Sequence, residues 1–122
     1  MKINSYKDLI VWQKSMLLAK QIYAITSTFP KSELLGLISQ MCRATVSIPS
    51  NIAEGFSRRH AKEHSQFLRI SLGSLTELET QLILSEELGF IKENRFIEIS
   101  FLIEEISKML HKVIWQFSNS TY

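Results

Sequence analysis

Cysteine is nearly absent: Cys42 stands alone among 122 residues. A single thiol excludes an internal disulfide and any cysteine-rich zinc site. Proline occurs twice and glycine four times, too few for a fold made of tight turns, so helices are favoured over a β-sandwich or barrel. No apolar run reaches the roughly 18 residues of a membrane span. The longest uncharged stretch of interest, 44–53, carries Thr45, Ser47, Ser50 and Asn51. The opening MKINSYKDL lacks the apolar core of a signal peptide, and the expectation is a cytoplasmic protein without a membrane partner.

What is present fits one globular domain. Hydrophobic residues make up 45% and charged residues 21%, too apolar for a disordered chain, and the length suffices for a buried core. The formal charge of +2 is unevenly spread: residues 1–61 carry +5 and residues 62–122 carry −3. That asymmetry allows a basic face for an anionic partner.

Four segments repeat apolar residues at helical spacing. Ser5 and Asp8 form a capping box, followed by Leu9, Trp12, Met16, Ala19 and Tyr23 on one face, with Ile10, Leu17, Val11, Leu18 and Ile25 on others; Phe29-Pro30 ends the segment. Ser32 caps a second stripe of Leu34, Ile38, Met41, Thr45, Ile48 and Ile52, in which Pro49 predicts a kink and Gly55 a left-handed C-terminal cap. The third runs through Leu68, Ser71, Leu75, Leu78, Leu82 and Ser85, starts near Ser57 or His60, and ends at Gly89. Its small residues Ser71, Gly73 and Ser74 invite close approach of a neighbouring helix. The fourth, capped at Asn94, carries Phe96, Ile99, Ile103, Ile106, Leu110, Val113 and Phe117. The predicted helices span about 6–28, 33–54, 58–88 and 94–117 within one domain, 1–122, with a frayed tail over 118–122. Short connections exclude long crossovers, so the predicted fold is all-α, an antiparallel up-down-up-down four-helix bundle. Ile10, Leu17, Ile97, Phe101 and Trp115 point away from the core stripes, more apolar surface than one bundle buries, and are assigned to a subunit interface.

Catalytic chemistry finds little support. A di-iron bundle needs two Glu-x-x-His pairs, yet Ser57, Ala61 and Lys108 stand three residues before His60, His64 and His111. His60-Ala61-Lys62-Glu63-His64 matches the letters of one zinc peptidase class but lacks a third ligand and sits among cations. No glycine-rich phosphate loop or nucleophile elbow occurs. No enzymatic activity, metal or cofactor is expected.

Two polar features remain. Gln40, Arg43, Ser47, Asn51 and Glu54 form a stripe on the second helix, opposite Glu77 and Gln81 on the third. Read as a structural network, it needs a carboxylate, Glu77 or Glu54, for a buried Arg43; read as a ligand or nucleic-acid contact, it leaves Arg43 available. The second feature is Arg58, Arg59, His60, Lys62 and His64 at the junction of helices two and three, with Arg69 two turns beyond. A helix N-terminus there adds free N–H groups and partial positive charge, both suited to phosphate.

Ordered blocks along the chain carry a resemblance: Asp8-Leu9-Ile10-Val11-Trp12-Gln13-Lys14, Phe29-Pro30, Gln40, Arg43-Ala44, Ser47-Ile48-Pro49-Ser50-Asn51-Ile52-Ala53-Glu54-Gly55-Phe56, Arg58-Arg59, Phe67-Leu68, Gly73-Ser74-Leu75 and Glu77-Leu78-Glu79-Thr80-Gln81-Leu82. The chain resembles, nearly end to end, the four-helix bundle family named for proteins encoded in intervening sequences of bacterial 23S ribosomal RNA genes. Ser71 departs from the alanine common there. The resemblance implies a ring-like homopentamer and no established enzymatic activity. The family is in turn similar to the accessory protein of diversity-generating retroelements, a basic pentameric bundle that partners a reverse transcriptase and nucleic acid. The leading expectation is a non-enzymatic oligomer that binds RNA or DNA through Arg43, Arg58, Arg59, Lys62 and Arg69, without base readout. The alternative is a protein-interaction scaffold for a polymerase-type partner, with the charges serving solubility.

Overall fold

In the computed structural model, which describes residues 4–118, Ser5 and Asp8 close the predicted capping box. The Lys7 N–H donates to Ser5 Oγ and the Ser5 N–H to Asp8 Oδ2, each at 3.2 Å. The box closes only a 3₁₀ turn, Tyr6–Asp8, because Leu9 is extended (φ −73°, ψ 126°). The first α-helix, α1, therefore spans Ile10–Thr26, four residues later than its cap predicts. The core face of α1 also differs from the predicted one. Val11, Leu18, Ile22 and Ile25 are buried, whereas Trp12 and Met16 are half-buried and Tyr23 is exposed. A chain apolar around most of its circumference leaves the choice of face to packing.

Pro30 is followed by a 3₁₀ turn, Lys31–Glu33, and a π-helical turn, Leu34–Ile38, in which Gly36 leaves helical geometry (φ −109°, ψ −108°). Helix α2 spans Ser39–Phe56 and stays helical through Pro49. A break in regular geometry lies at Gly36, ahead of the Thr45–Pro49 stretch in which Pro49 predicts a kink. Met41, Thr45, Ile48 and Ile52 are buried as the stripe implies, but Leu34 is exposed, swung out by the break.

Helix α3 spans Ala61–Glu87 with His60 as N-cap. Its predicted seam of Leu68, Ser71, Leu75, Leu78, Leu82 and Ser85 is buried throughout. Gly89 ends it at φ 81°. The Phe90 N–H reaches Ser85 O (2.9 Å) and the Gly89 N–H reaches Glu86 O (3.0 Å), the pair of bonds that satisfies carbonyls at a left-handed helix end. Helix α4 spans Glu93–Ser118, one residue ahead of the predicted Asn94 cap. The tail beyond 118 lies outside the described residues, as does most of the segment expected to fray.

Each helix packs on its neighbours in the chain, and α4 closes on α1. Between α2 and α3 the contacts run Met41 with Ser85, Ser47 with Ser74, Ile48 with Ser71, and Gly55 with Phe67; positions rise along one helix as they fall along the other. Ser71 and Ser74 make the close approach predicted for the small residues. Gly73 does not: it faces outward with nothing near it. Gly55 is not a left-handed cap either. It lies inside α2, and a Cβ there would stand 3.0 Å from Phe67 Cβ and 3.2 Å from the His64 carbonyl oxygen, so its role is to let α3 approach. One apolar cluster drawn from all four helices forms the core. Among the described residues, no helix is long and apolar enough to cross a membrane.

Candidate functional site

The polar stripe of α2 divides into separate arrangements. Asn51 Nδ2 donates to the Ser47 carbonyl oxygen (2.8 Å) and to Ser47 Oγ (3.0 Å), and Ser47 Oγ lies 2.8 Å from Ser74 Oγ on α3. Glu54 pairs with Arg58, one turn on. Glu77 accepts from Gln81 Nε2 at 3.3 Å. Arg43 is exposed, and among the described residues it forms no ion pair. The expectation that a buried Arg43 takes Glu77 or Glu54 as its partner is thus corrected. The guanidinium needs no buried counter-ion because it is not buried, and its proposed carboxylates have found nearer donors.

The fold nonetheless brings part of the stripe together. Gln40, Arg43 and Ser47 of α2 and Ser74 and Glu77 of α3 line one open groove of about 410 Å³, with Leu35, Ser39 and Ala44 completing it. Ser39 and Ser74 did not stand out as polar site residues in the sequence. The available signal is that Ser74 lies three residues before Glu77, hence on the same helical face.

The basic cluster sits at the turn between α2 and α3. Arg58, Arg59, His60 and Lys62 are exposed. Arg58 is engaged twice, by Glu54 and by the Phe67 ring, over which its guanidinium carbon lies 4.9 Å from the centroid. Arg59 and Lys62 form no ion pair among the described residues. The His60 cap makes no side-chain hydrogen bond to the start of α3, so the first-turn N–H groups keep the donors that such a cap would occupy. Arg69 is exposed two turns along α3. Arg43 does not join this cluster: it lies roughly 20 Å back along the axis of α2.

His64 departs from its basic neighbours. It is half-buried, stacked on Phe117 of α4 (centroids 4.1 Å, 22° between planes) and edge-on to Phe56 of α2 (6.3 Å, 75°). Burial lowers its pKa below the usual 6.5, because desolvation penalises the imidazolium. Among the described residues, no three His, Cys, Asp or Glu side chains gather into a metal-binding group.

The residues assigned to a subunit contact lie on α1 and α4. Ile10, Leu17, Ile97, Phe101 and Trp115 are all exposed, Phe101 at 70% and Trp115 at 67%. Beside Ile10, an open groove of about 860 Å³ runs between the start of α1 and the end of α4, its apolar floor made by Leu9, Val11, Met109 and Val113 and its polar members Asp8, Gln13, Lys112 and Gln116.

Among solved structures, a protein of unknown function from the S23 ribosomal protein family of Bacteroides thetaiotaomicron is similar, with 25% identity and a TM-score of 0.78 over 86% of this chain and 98% of that one. No curated protein matches. The groove and the basic turn both fall within residues 7–112, the stretch that matches the 23S rRNA-intervening sequence protein family, and the chain belongs to that family.

Proposed function

We propose that this chain is a non-enzymatic, antiparallel up-down bundle that assembles with copies of itself, as a homopentamer by family resemblance, and binds RNA or DNA through the turn between α2 and α3. One observation carries the reading. Arg59 and Lys62, exposed and without ion pairs among the described residues, flank a helix start whose cap makes no side-chain bond. Arg59 precedes the cap and Lys62 stands in the first turn beside Glu63, so cations and backbone N–H groups share a region where a phosphate gains from both. Arg58 and Arg69 extend the surface. Arg43 is too far along α2 to contact the same phosphates. Repetition around a ring multiplies the patch into a continuous positive surface.

The test is binding of a fluorescent RNA oligonucleotide across a salt series by wild type and by an Arg59→Ala, Lys62→Ala double variant. Each lost phosphate contact lowers the slope of log K against log salt by about 0.7–0.9. Salt-insensitive binding, or a variant that behaves as wild type, overturns the reading. A second reading, a scaffold for a protein partner such as a polymerase, has its own observation: Leu35, exposed at 93%, is an apolar tip beside the break at Gly36. Capture of a purified partner that survives Arg59→Ala, Lys62→Ala and is lost in Leu35→Ser favours it.

A further inference from the structure

We propose that the groove between α2 and α3 is a separate binding site for a small zwitterion of the α-amino-acid class, its carboxylate on Arg43 and its ammonium on Glu77. Arg43 and Glu77 line the same groove, yet no ion pair joins them. Opposite charges that face one space without closing on each other leave a charge dipole across it. A ligand that carries a carboxylate and an ammonium group, as an α-amino acid does, offers a counter-charge to each end.

The hydrogen bonds around the groove show which valences are spare. Asn51 Nδ2 donates to Ser47 Oγ (3.0 Å), and Ser47 Oγ and Ser74 Oγ lie 2.8 Å apart. The two hydroxyls carry two protons, and the bond between them uses one. Whichever serine donates, one hydroxyl proton is left over, and both serines line the groove. That proton and the guanidinium N–H groups of Arg43 form a donor set for a carboxylate. At the other end, Gln81 is 7% exposed and gives its amide N–H to Glu77 Oε2 at 3.3 Å. A buried amide thus orients the carboxylate, and among the described residues no hydrogen bond from another residue engages its Oε1. Leu35 and Ala44 are the apolar members of a mostly polar lining, so the ligand's side chain is set by the ranking below. The volume of about 410 Å³ falls in the range of small-molecule sites, roughly 300–1,000 Å³. Arg43 also borders a second groove, with Tyr23, Ser39, Cys42, Val46 and Ser47; among the described residues no carboxylate lines that one, so it lacks the negative charge that pairs with an ammonium group.

Calorimetric titration of the nucleic-acid-free wild-type protein tests this. L-leucine is compared with leucinamide, which lacks the carboxylate, and with 4-methylpentanoate, which lacks the ammonium; the other standard amino acids then rank the side chain. The expected result is saturable binding with a Kd below about 1 mM, roughly tenfold weaker for either one-charge analogue. Arg43→Gln and Glu77→Gln each weaken it about tenfold, and Ser74→Ala a few-fold; the melting of the unliganded protein is unchanged in Arg43→Gln, because Arg43 is exposed and forms no ion pair among the described residues. The proposal falls if no standard amino acid saturates the protein by about 10 mM, if the three leucine compounds bind alike, or if both charge variants bind as wild type. Because the site uses none of Arg58, Arg59 or Lys62, these outcomes are independent of nucleic-acid binding.

Discussion

His64 shows how one side chain's surroundings override its letter. In the sequence it is one of a run of basic residues and half of a zinc-like motif. In the fold its ring is stacked on Phe117 and braced by Phe56, and the bundle holds it neutral more readily than water does. The linkage follows from the direction of that shift. An unfolded chain protonates His64 near pH 6.5, the folded chain only at lower pH, so the unfolded state binds more protons in between. The stability His64 contributes is full above about pH 6.5 and is lost as pH falls toward the lowered value. Urea unfolding midpoints measured at about pH 7.5 and about pH 5.5 therefore drop for wild type. In His64→Phe, which keeps an aromatic ring but cannot titrate, the drop is smaller. An equal drop in the two proteins places the proton uptake elsewhere. Arg43 teaches the same lesson from the other side. Spacing puts it on one stripe with Glu54 and opposite Glu77, and the fold brings Arg43 and Glu77 to one groove but leaves Glu54 outside it; which partner each carboxylate takes depends on neighbours at atomic distance. Arg58 reached Glu54 and Gln81 reached Glu77.

At the scale of elements, glycine separates what the sequence makes legible from what it hides. Glu54-Gly55 and Leu88-Gly89 carry the same local signal for a helix end. Gly89 obeys it, at φ 81°. Gly55 does not, because α3 arrives there: Phe67 Cβ and the His64 carbonyl oxygen crowd the space a Cβ needs. That fact belongs to two helices and cannot be read from one. Gly73 reverses the case, since it resembles a packing glycine in sequence yet a Cβ added there meets no neighbouring element within 4 Å. Alanine is a better helix former than glycine by about 0.8–1.0 kcal/mol, and overpacking costs about 1–3 kcal/mol. At Gly73 only the first term acts, so Gly73→Ala stabilises by nearly 1 kcal/mol in urea unfolding. At Gly55 the obstacle includes a backbone atom that moves only with α3, so Gly55→Ala destabilises by about 1 kcal/mol net. The same sign for both substitutions means that α3 shifts freely at Gly55 and the close approach is not a constraint. The periodic cores of α2, α3 and α4 were readable because each has one dominant apolar face. The start of α2 was not: a helical stripe passing through Leu34 gives no warning that Gly36 breaks the ladder and turns Leu34 and Leu35 outward.

For the whole molecule the question is what covers α1 and α4. Their outer faces carry Ile10, Leu17, Ile97, Phe101 and Trp115, all exposed in a single copy, and Ile10 borders a largely apolar groove of about 860 Å³. Burying a large apolar side chain gains about 1.5–3 kcal/mol, so a few of these at a contact outweigh much of the entropy lost on association. A bundle whose core is already closed by α1 packing on α4 does not need them to fold. Substitution there separates assembly from folding. Ile10→Asp with Phe101→Asp leaves the helical circular dichroism unchanged, since exposed positions alter stability by only about 0.5 kcal/mol either way. In sedimentation equilibrium the wild-type mass is a multiple of 14.1 kDa, and the double variant shifts toward a single chain because a charge at each contact must be desolvated without a partner. RNA affinity falls with it, as separated subunits no longer present adjoining copies of the Arg59 and Lys62 surface. A variant that unfolds instead places these residues in the subunit's own stability. A wild type that sediments as one chain at every concentration removes the ring, and with it the reason for its basic turns to act together.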